Sequence, residues 1–411
     1  MPLNPATARD ELFGDVDVAG VVGRAISTSA KPTKRQRNLP NDVMLWVVVA
    51  MSLFRNTRLT ELTQRLGILG DSGKRLASSS ITEARARLGA RPMRVLFEEL
   101  SMHWAHEAAD LDRWNGLAVY AMDGTTLKIA DSDENDAFFG RPSTGHAVGA
   151  YPQVRLVSMM AVRSRLMVDA AFGPYRGKGT GENILASKLW DGVPDNSVLL
   201  FDRGFINTGR MWDFCAQHDA RHFVTREAAK LNWTLVEQLS ARDSIVDVTI
   251  SKKARKEYKD APETLRLRRI EYQFEGHAPS AILTSLLDSG AWSAAEIVDL
   301  YHERWDIELA YRDVKQTQLE RKETLRSRTP DGVEQEIWGI LTAYQLVRRR
   351  MLKVAIERGV PARRLGFKSA LIGVVSFTMQ MTVPLQSDEW VRMSLEILDE
   401  AIWAGLLPVR K

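Results

Sequence analysis

Two short apolar runs, Leu117–Met122 and Ser197–Phe201, each lead straight into an aspartate, and this repeated pattern constrains the fold most. Uninterrupted apolar runs of this length read as buried strands. Between and after them, Val154–Val162 and Leu166–Phe172 read as two strands around a polar turn. Glu182–Trp190 and Thr208–His218 read as helices, and His222–Thr225 as a closing strand. Gly124-Thr125-Thr126 looks like a turn, with Leu127–Ala130 as a separate extended run. Strands and helices in this order argue an α/β fold, a mixed sheet flanked by helices. Residues just past strand ends line the crevice where open α/β sheets bind ligands, so Asp123 and Asp202 are expected there.

A third acid is expected from a helix over Ala294–Gln318. Within it, Tyr301, Arg304, Glu308 and Lys315 have offsets of 0, 3, 7 and 14, so at about 3.6 residues per turn they share one face. Glu303 and Asp306 are also available, but at about 100° per residue they point away from Glu308. A carboxylate among an aromatic ring, a guanidinium and an ammonium is poor core chemistry. It suits a metal ligand beside a phosphate backbone; the plainer alternative is an ion pair of Glu308 with Arg304 or Arg312. Two strand-end aspartates and one helical glutamate can hold two divalent cations, and oxygen-only ligation favours Mg2+ or Mn2+ over zinc.

The flanks read differently. Up to residue 112 the pattern is helical, with Asn41 or Asp42 capping a helix through Phe54, Ser79 or Ser80 capping Ile81–Leu88, and a further helix over Met93–Ala109. A basic arm with Lys34, Arg35 and Arg37 precedes them. From about 226 to 286 alternating runs suggest a β-rich insertion carrying the cluster Lys252, Lys253, Arg255 and Lys256, which reads either as a grip on DNA or as a solvated hairpin. Residues 329–411 read as helical. A net charge of +4 permits a polyanionic partner without demanding one. One cysteine, Cys215, excludes an internal disulfide framework. The longest uncharged apolar stretch, Val43–Phe54, is 12 residues, too short to span a bilayer, so no membrane partner is expected and the cytoplasm is the expected compartment.

Tyr301-x2-Arg304-x3-Glu308-x6-Lys315 resembles the signature of the insertion-sequence-4 family of bacterial DDE transposases. Asp123-Gly-Thr-Thr and Phe201-Asp202-Arg203-Gly204-Phe205 resemble that family's two aspartate motifs. Arg35-Gln-Arg37-Asn-Leu-Pro40 and Ser80-Ile-Thr-Glu-Ala-Arg85-Ala-Arg87-Leu-Gly89 resemble its N-terminal domain. The resemblance implies a helical N-terminal DNA-binding domain (1–112), an RNase H-like catalytic domain (113–328) and a helical C-terminal region (329–411). The 106 residues from Asp202 to Glu308 agree with an insertion. It further implies that Asp123, Asp202 and Glu308 bind the metal ions, while Tyr301, Arg304, Lys315, Arg35 and Arg37 hold double-stranded DNA. A homodimer bridging two transposon ends, associated with the nucleoid when bound, is the expected assembly. Trp233 is expected in the core, with a base-stacking role as the alternative. A nuclease without strand transfer and a catalytically silent DNA-binding repressor are the competing functions.

Overall fold

The computed structural model describes residues 16–31, 39–70, 73–144, 147–273, 276, 278–320, 324–382 and 387–408. Arg35 and Arg37 lie outside the described residues. Among those described, the N-terminal region holds α1 (Val18–Ser27), α2 (Asn41–Leu53), α3 (Leu59–Arg65), α4 (Ser78–Leu88) and α5 (Arg91–Leu111). The expected caps do not form. Pro40 and Ala77 occupy the N-cap positions of α2 and α4 without side-chain hydrogen bonds. Asn41 instead donates to the Lys31 carbonyl and accepts from Arg87, tying helices together.

The sheet is built from β1 (Ala118–Ile129), β2 (Gln153–Ala161), β3 (Leu166–Pro174), β4 (Ser197–Phe201) and β5 (Arg221–Arg226), in the order β3-β2-β1-β4-β5. β4 lies parallel to both β1 and β5, whereas β2 runs antiparallel to β1. The apolar start of β1 and all of β4 are buried on both faces, which explains their lack of alternation. Four further strands, β6 (Trp233–Ser240), β7 (Asp243–Thr249), β8 (Thr264–Tyr272) and β9 (Ser280–Thr284), continue the same sheet because β9 pairs with β5. The insertion-like stretch is therefore joined by hydrogen bonds to the central sheet. The basic cluster sits on a short helix, Lys252–Glu257, capped by Ser251, rather than on a hairpin.

β1 does not break at Gly124. It runs unbroken through Thr126, with Gly124 opposite Val157 and Thr125 opposite Leu156. The two β-branched threonines favour a pleated strand, and that preference prevails over the turn signal of the glycine. Glycine serves close approach here, since a Cβ at 124 would lie 2.9 Å from the Glu182 carboxyl carbon.

The N- and C-terminal regions interlock through α6 (Pro330–Glu357), a 28-residue helix buried along most of its length. Its buried polar groups are paired. Gln345 bonds both the N–H and the carbonyl of Met167 on β3, and Arg350 meets Asp399 at 2.6 Å. Glu336 accepts from Arg55 at 2.8 Å, from the N–H groups of Arg326 and Ser327, and from the Ser327 hydroxyl. Burial pushes this carboxyl up, but Arg55 and those donors outweigh it and hold it below its usual range. Removing one partner of a buried ion pair costs about 3–5 kcal/mol. Glu336→Ala should therefore destabilise the full chain by about that much in urea denaturation; a loss like that of an exposed pair, below about 1 kcal/mol, would refute the role of this junction.

Candidate active site

The first aspartate is set by strand pairing. The parallel ladder of β1 with β4 ends at Met122 opposite Phe201, so Asp123 and Asp202 are the next residues on neighbouring strands. Beyond that point β1 loses β4 as a neighbour. Its edge is taken up again at Lys128, which pairs with Thr324 of the short strand β10 (Thr324–Leu325). Among the described residues, 123–127 thus face an opening between β4 and β10, and Asp123 lies in mid-strand at its mouth. Asp202 leads into the one-turn helix Arg203–Phe205.

The helix opposite is not uniform, as the one-face expectation required. It comprises α7 (Ala294–His302), a tightened turn at Glu303–Arg304, α8 (Trp305–Arg312) and a π-helical stretch, Asp313–Gln318. In the tight turn the Arg304 N–H bonds Tyr301 and the Ile307 N–H bonds Arg304, three residues back in each case. In the wide turn the Leu319 N–H reaches Val314, five residues back. Tightening and widening each shift the angular period, so the four-residue stripe is not a straight line. Buried Asp313, bonded to Arg348 and 3.8 Å from Arg165, anchors the start of the widened segment.

Arg304 joins the helix to the sheet. It is 7 % exposed and reaches Glu308 at 2.8 Å and Asp123 at 3.4 Å. The ion pair with Glu308 allowed as the plainer alternative is present, but it extends to a strand acid 181 residues away. Tyr301 is buried beneath the guanidinium, and burial pushes its hydroxyl up to about 12, with Asp202 also raising it. Asp123 is pushed up to about 6, first by burial, with Glu308 and Asp202 adding repulsion. The Gly124 N–H, at 2.8 Å, and Arg304 offset only part of this. These electrostatic couplings show that Asp123 lies within the field of both other acids.

Two neighbours escaped sequence reasoning. Tyr311 donates to the Asp123 carbonyl at 2.7 Å and bonds both the N–H and hydroxyl of Ser158, the strand partner of Asp123. It clamps α8 onto β1, and its position three residues after Glu308 was the available signal. Glu182, whose carboxyl covers Gly124, carried no sequence signal beyond its place after a glycine-rich loop.

Other expected residues lie elsewhere. Glu303 pairs with Arg163 at 3.0 Å and Asp306 with Arg165 at 2.5 Å, so neither competes with Glu308. Lys315 is half-buried in the π-helical stretch, about 10 Å along the axis from Glu308 at about 1.5 Å per residue. Trp233 is not in the core. It is 37 % exposed on an edge strand, its ring nitrogen donates to Glu227, and Arg269 stacks 4.8 Å from its centre. Cys215 is partly buried, and burial pushes its thiol up to about 12.

Among the described residues, no three acidic, histidine or cysteine side chains stand close enough as placed to grip one metal ion. The positive charge between Asp123 and Glu308 is instead the Arg304 guanidinium. The donor chemistry nonetheless fits a hard cation: it is oxygen only, and the anionic form of Asp123 is under-neutralised.

Comparison with known proteins decides the family. Residues 12–98 match the model described as insertion element 4 transposase N-terminal, and residues 114–346 match the transposase DDE domain. The chain is similar to the transposase InsG for insertion sequence element IS4 of Escherichia coli K12, with 34 % identity over 99 % of this chain and 90 % of the relative. It belongs to the IS4 family of DDE transposases. A putative transposase of the same bacterium, InsZ, is 33 % identical over 54 % of this chain and 73 % of its own length. A piggyBac transposase synaptic complex with hairpin DNA matches at TM-score 0.47 and 10 % identity, covering 98 % of this chain and 85 % of that one. The IS4-family chain is thus a DNA transposase, an enzyme acting on DNA, and its mixed sheet fits an RNase H-like fold. The DDE domain implies dependence on a divalent metal. No described helix is long and apolar enough to cross a membrane.

The raised Asp123 carboxyl has a measurable consequence. Because its folded value of about 6 lies above the ordinary aspartate value of 3.8, its contribution to stability is full below about 3.8 and is lost as pH rises through about 6. A rise of that size corresponds to roughly 2–3 kcal/mol. With divalent ions chelated, Asp123→Asn should be more stable than the parent at pH 8 by up to that amount, and the gap should close by pH 4. Thermal unfolding at the two pH values checks this, and a gap independent of pH would contradict it.

Proposed function

We propose that this transposase binds the terminal inverted repeats of its element, cleaves a strand there and joins the freed 3′-hydroxyl to target DNA. The reading rests most on the strand register that carries Asp123 and Asp202 side by side, with Glu308 linked to Asp123 through Arg304. Asp123, Asp202 and Glu308 would hold two divalent ions, Mg2+ or Mn2+. When bound, such ions lower the pKa of an attacking hydroxyl and neutralise the leaving oxygen.

The chain's own residues supply the rest. Asp123 is held in place by the Gly124 N–H and by Tyr311 on its carbonyl, so its carboxylate enters the reaction already oriented. Arg304 acts as counter-ion until cations arrive. Its Nε is buried and lacks a hydrogen-bond partner, which leaves a donor that would suit a phosphate oxygen. Tyr301 supports that guanidinium from below. Lys315 would contribute a point charge to the DNA backbone farther along the helix. Two copies would bridge two transposon ends, and the exposed Ile372, Met393 and Ile397 on the C-terminal helices offer apolar contact for the pairing.

Asp123→Ala, Asp202→Ala and Glu308→Ala should each abolish magnesium-dependent nicking of a duplex carrying the element's terminal repeats while leaving its binding largely intact. Substantial residual nicking would count against this assignment. The covalently joined element–target strand separates a transposase from a nuclease that stops at cleavage. Lys315→Ala should weaken end binding and reduce the slope of log affinity against log salt by about 1, read by titration at several salt concentrations.

A further inference from the structure

Asp123 and Glu308 belong to different elements, so their separation depends on how α8 sits against β1. Two side chains of the helical segment bond to Asp123. Arg304, the N-cap residue of α8, reaches the carboxylate at 3.4 Å, and Tyr311, seven residues on, donates its hydroxyl to the carbonyl at 2.7 Å. Glu308 lies between them in the sequence. The two contacts differ in kind. Arg304 uses a carboxylate oxygen, an atom that a divalent ion would take, whereas Tyr311 uses a main-chain oxygen and leaves the carboxylate free. The Tyr311 hydroxyl is held from its other side by Ser158, the β2 partner of Asp123, whose N–H lies at 3.1 Å and whose hydroxyl lies at 2.8 Å. With its single proton given to Asp123, the phenol oxygen accepts from both Ser158 groups. Ser158 is 0 % exposed and Tyr311 6 %, so solvent does not compete for these bonds.

A phenylalanine would fill the same space without these bonds, and a buried hydroxyl is costly unless it is bonded. Packing alone therefore does not account for a tyrosine here. What the hydroxyl adds is a fixed link from α8 to the main chain of β1 and β2. We propose that Tyr311 is a positioning residue whose hydroxyl, held by Ser158, sets the separation of the Asp123 and Glu308 carboxylates and thereby favours Mg2+ over larger cations. The inference rests on the reading that these two acids hold divalent ions. Mg2+ requires a near-ideal octahedron with oxygens at about 2.0–2.1 Å, whereas Ca2+ takes oxygens at about 2.3–2.6 Å in a flexible geometry. Loosening the link between α8 and β1 should therefore weaken Mg2+ binding more than Ca2+ binding.

The test compares the full-length parent with Y311F and S158A by thermal unfolding. It reads the MgCl2 or CaCl2 concentration that gives half of the maximal rise in melting temperature. Y311F should need about tenfold more MgCl2 than the parent, with a clearly smaller excess of CaCl2. S158A should show the same preference to a lesser degree. If Y311F only lowers the metal-free melting temperature, with both half-points at parent values, the hydroxyl is merely structural and the proposal is overturned. Equal shifts for the two ions overturn it as well. If near-UV circular dichroism shows Y311F to be unfolded, S158A decides, and parent-like half-points in it overturn the proposal. D123N checks the underlying reading. If both salts raise its melting temperature as they do the parent's, the ions are not held at Asp123, and the proposed metal site falls together with the role of Tyr311. If D123N abolishes both rises while Y311F matches the parent, only the role of Tyr311 falls.

Discussion

The parallel register of β1 against β4 is the constraint on which the rest of the arrangement hangs. With Met122 opposite Phe201, two aspartates that are 79 residues apart in the chain become neighbours. A slip of one residue would turn every side chain of β4 to the other face of the sheet. The slip is prevented by burial, because β4 is enclosed on both faces and its apolar side chains have no alternative surface. The placement of the two aspartates and the packing of the core are therefore set by the same contacts.

Bringing acids together carries an electrostatic cost, and the fold meets it locally. Arg304 stands between Asp123 and Glu308, the Gly124 N–H bonds the Asp123 carboxylate, and Tyr311 fixes the strand beneath. The compensation is incomplete, since Asp123 still favours its proton up to about pH 6. A site left in that condition is primed for added positive charge. The irregular helix serves the same end: the tight turn at Glu303–Arg304 holds the guanidinium toward the sheet, and buried Asp313 fixes the segment that follows.

Away from the acids, positive charge collects where the N-terminal helices meet the β1–β10 edge. One buried carboxylate, Glu336, is shared between the Arg55 guanidinium and the backbone N–H groups of Arg326 and Ser327. The helical ends of the molecule are thus joined by ionic and hydrogen-bonded contacts as well as by the apolar face of α6. Arg55 and Arg326, which belong to that joint, also line a cavity of about 900 Å³ between α3, α4, β1 and β10, so stability of the junction and charge at that surface are coupled.

The sequence by itself determined the α/β class, the helical flanks, the two aspartates after apolar runs and the glutamate within its spaced signature. These are local patterns, and a strand or helix period is written in neighbouring residues. It misjudged the unbroken β1, where pairing with β2 overrides a glycine, and the straight helix, where turns of different width redistribute the stripe. Trp233 looked like core because an isolated tryptophan usually is, yet its strand forms an edge. Only the tertiary structure decided that Arg304 bridges two acids, that Tyr311 and Glu182 flank Asp123, and that the stretch after β5 extends the main sheet. Those facts depend on contacts between residues tens to hundreds of positions apart, set by burial and register, which no local pattern encodes.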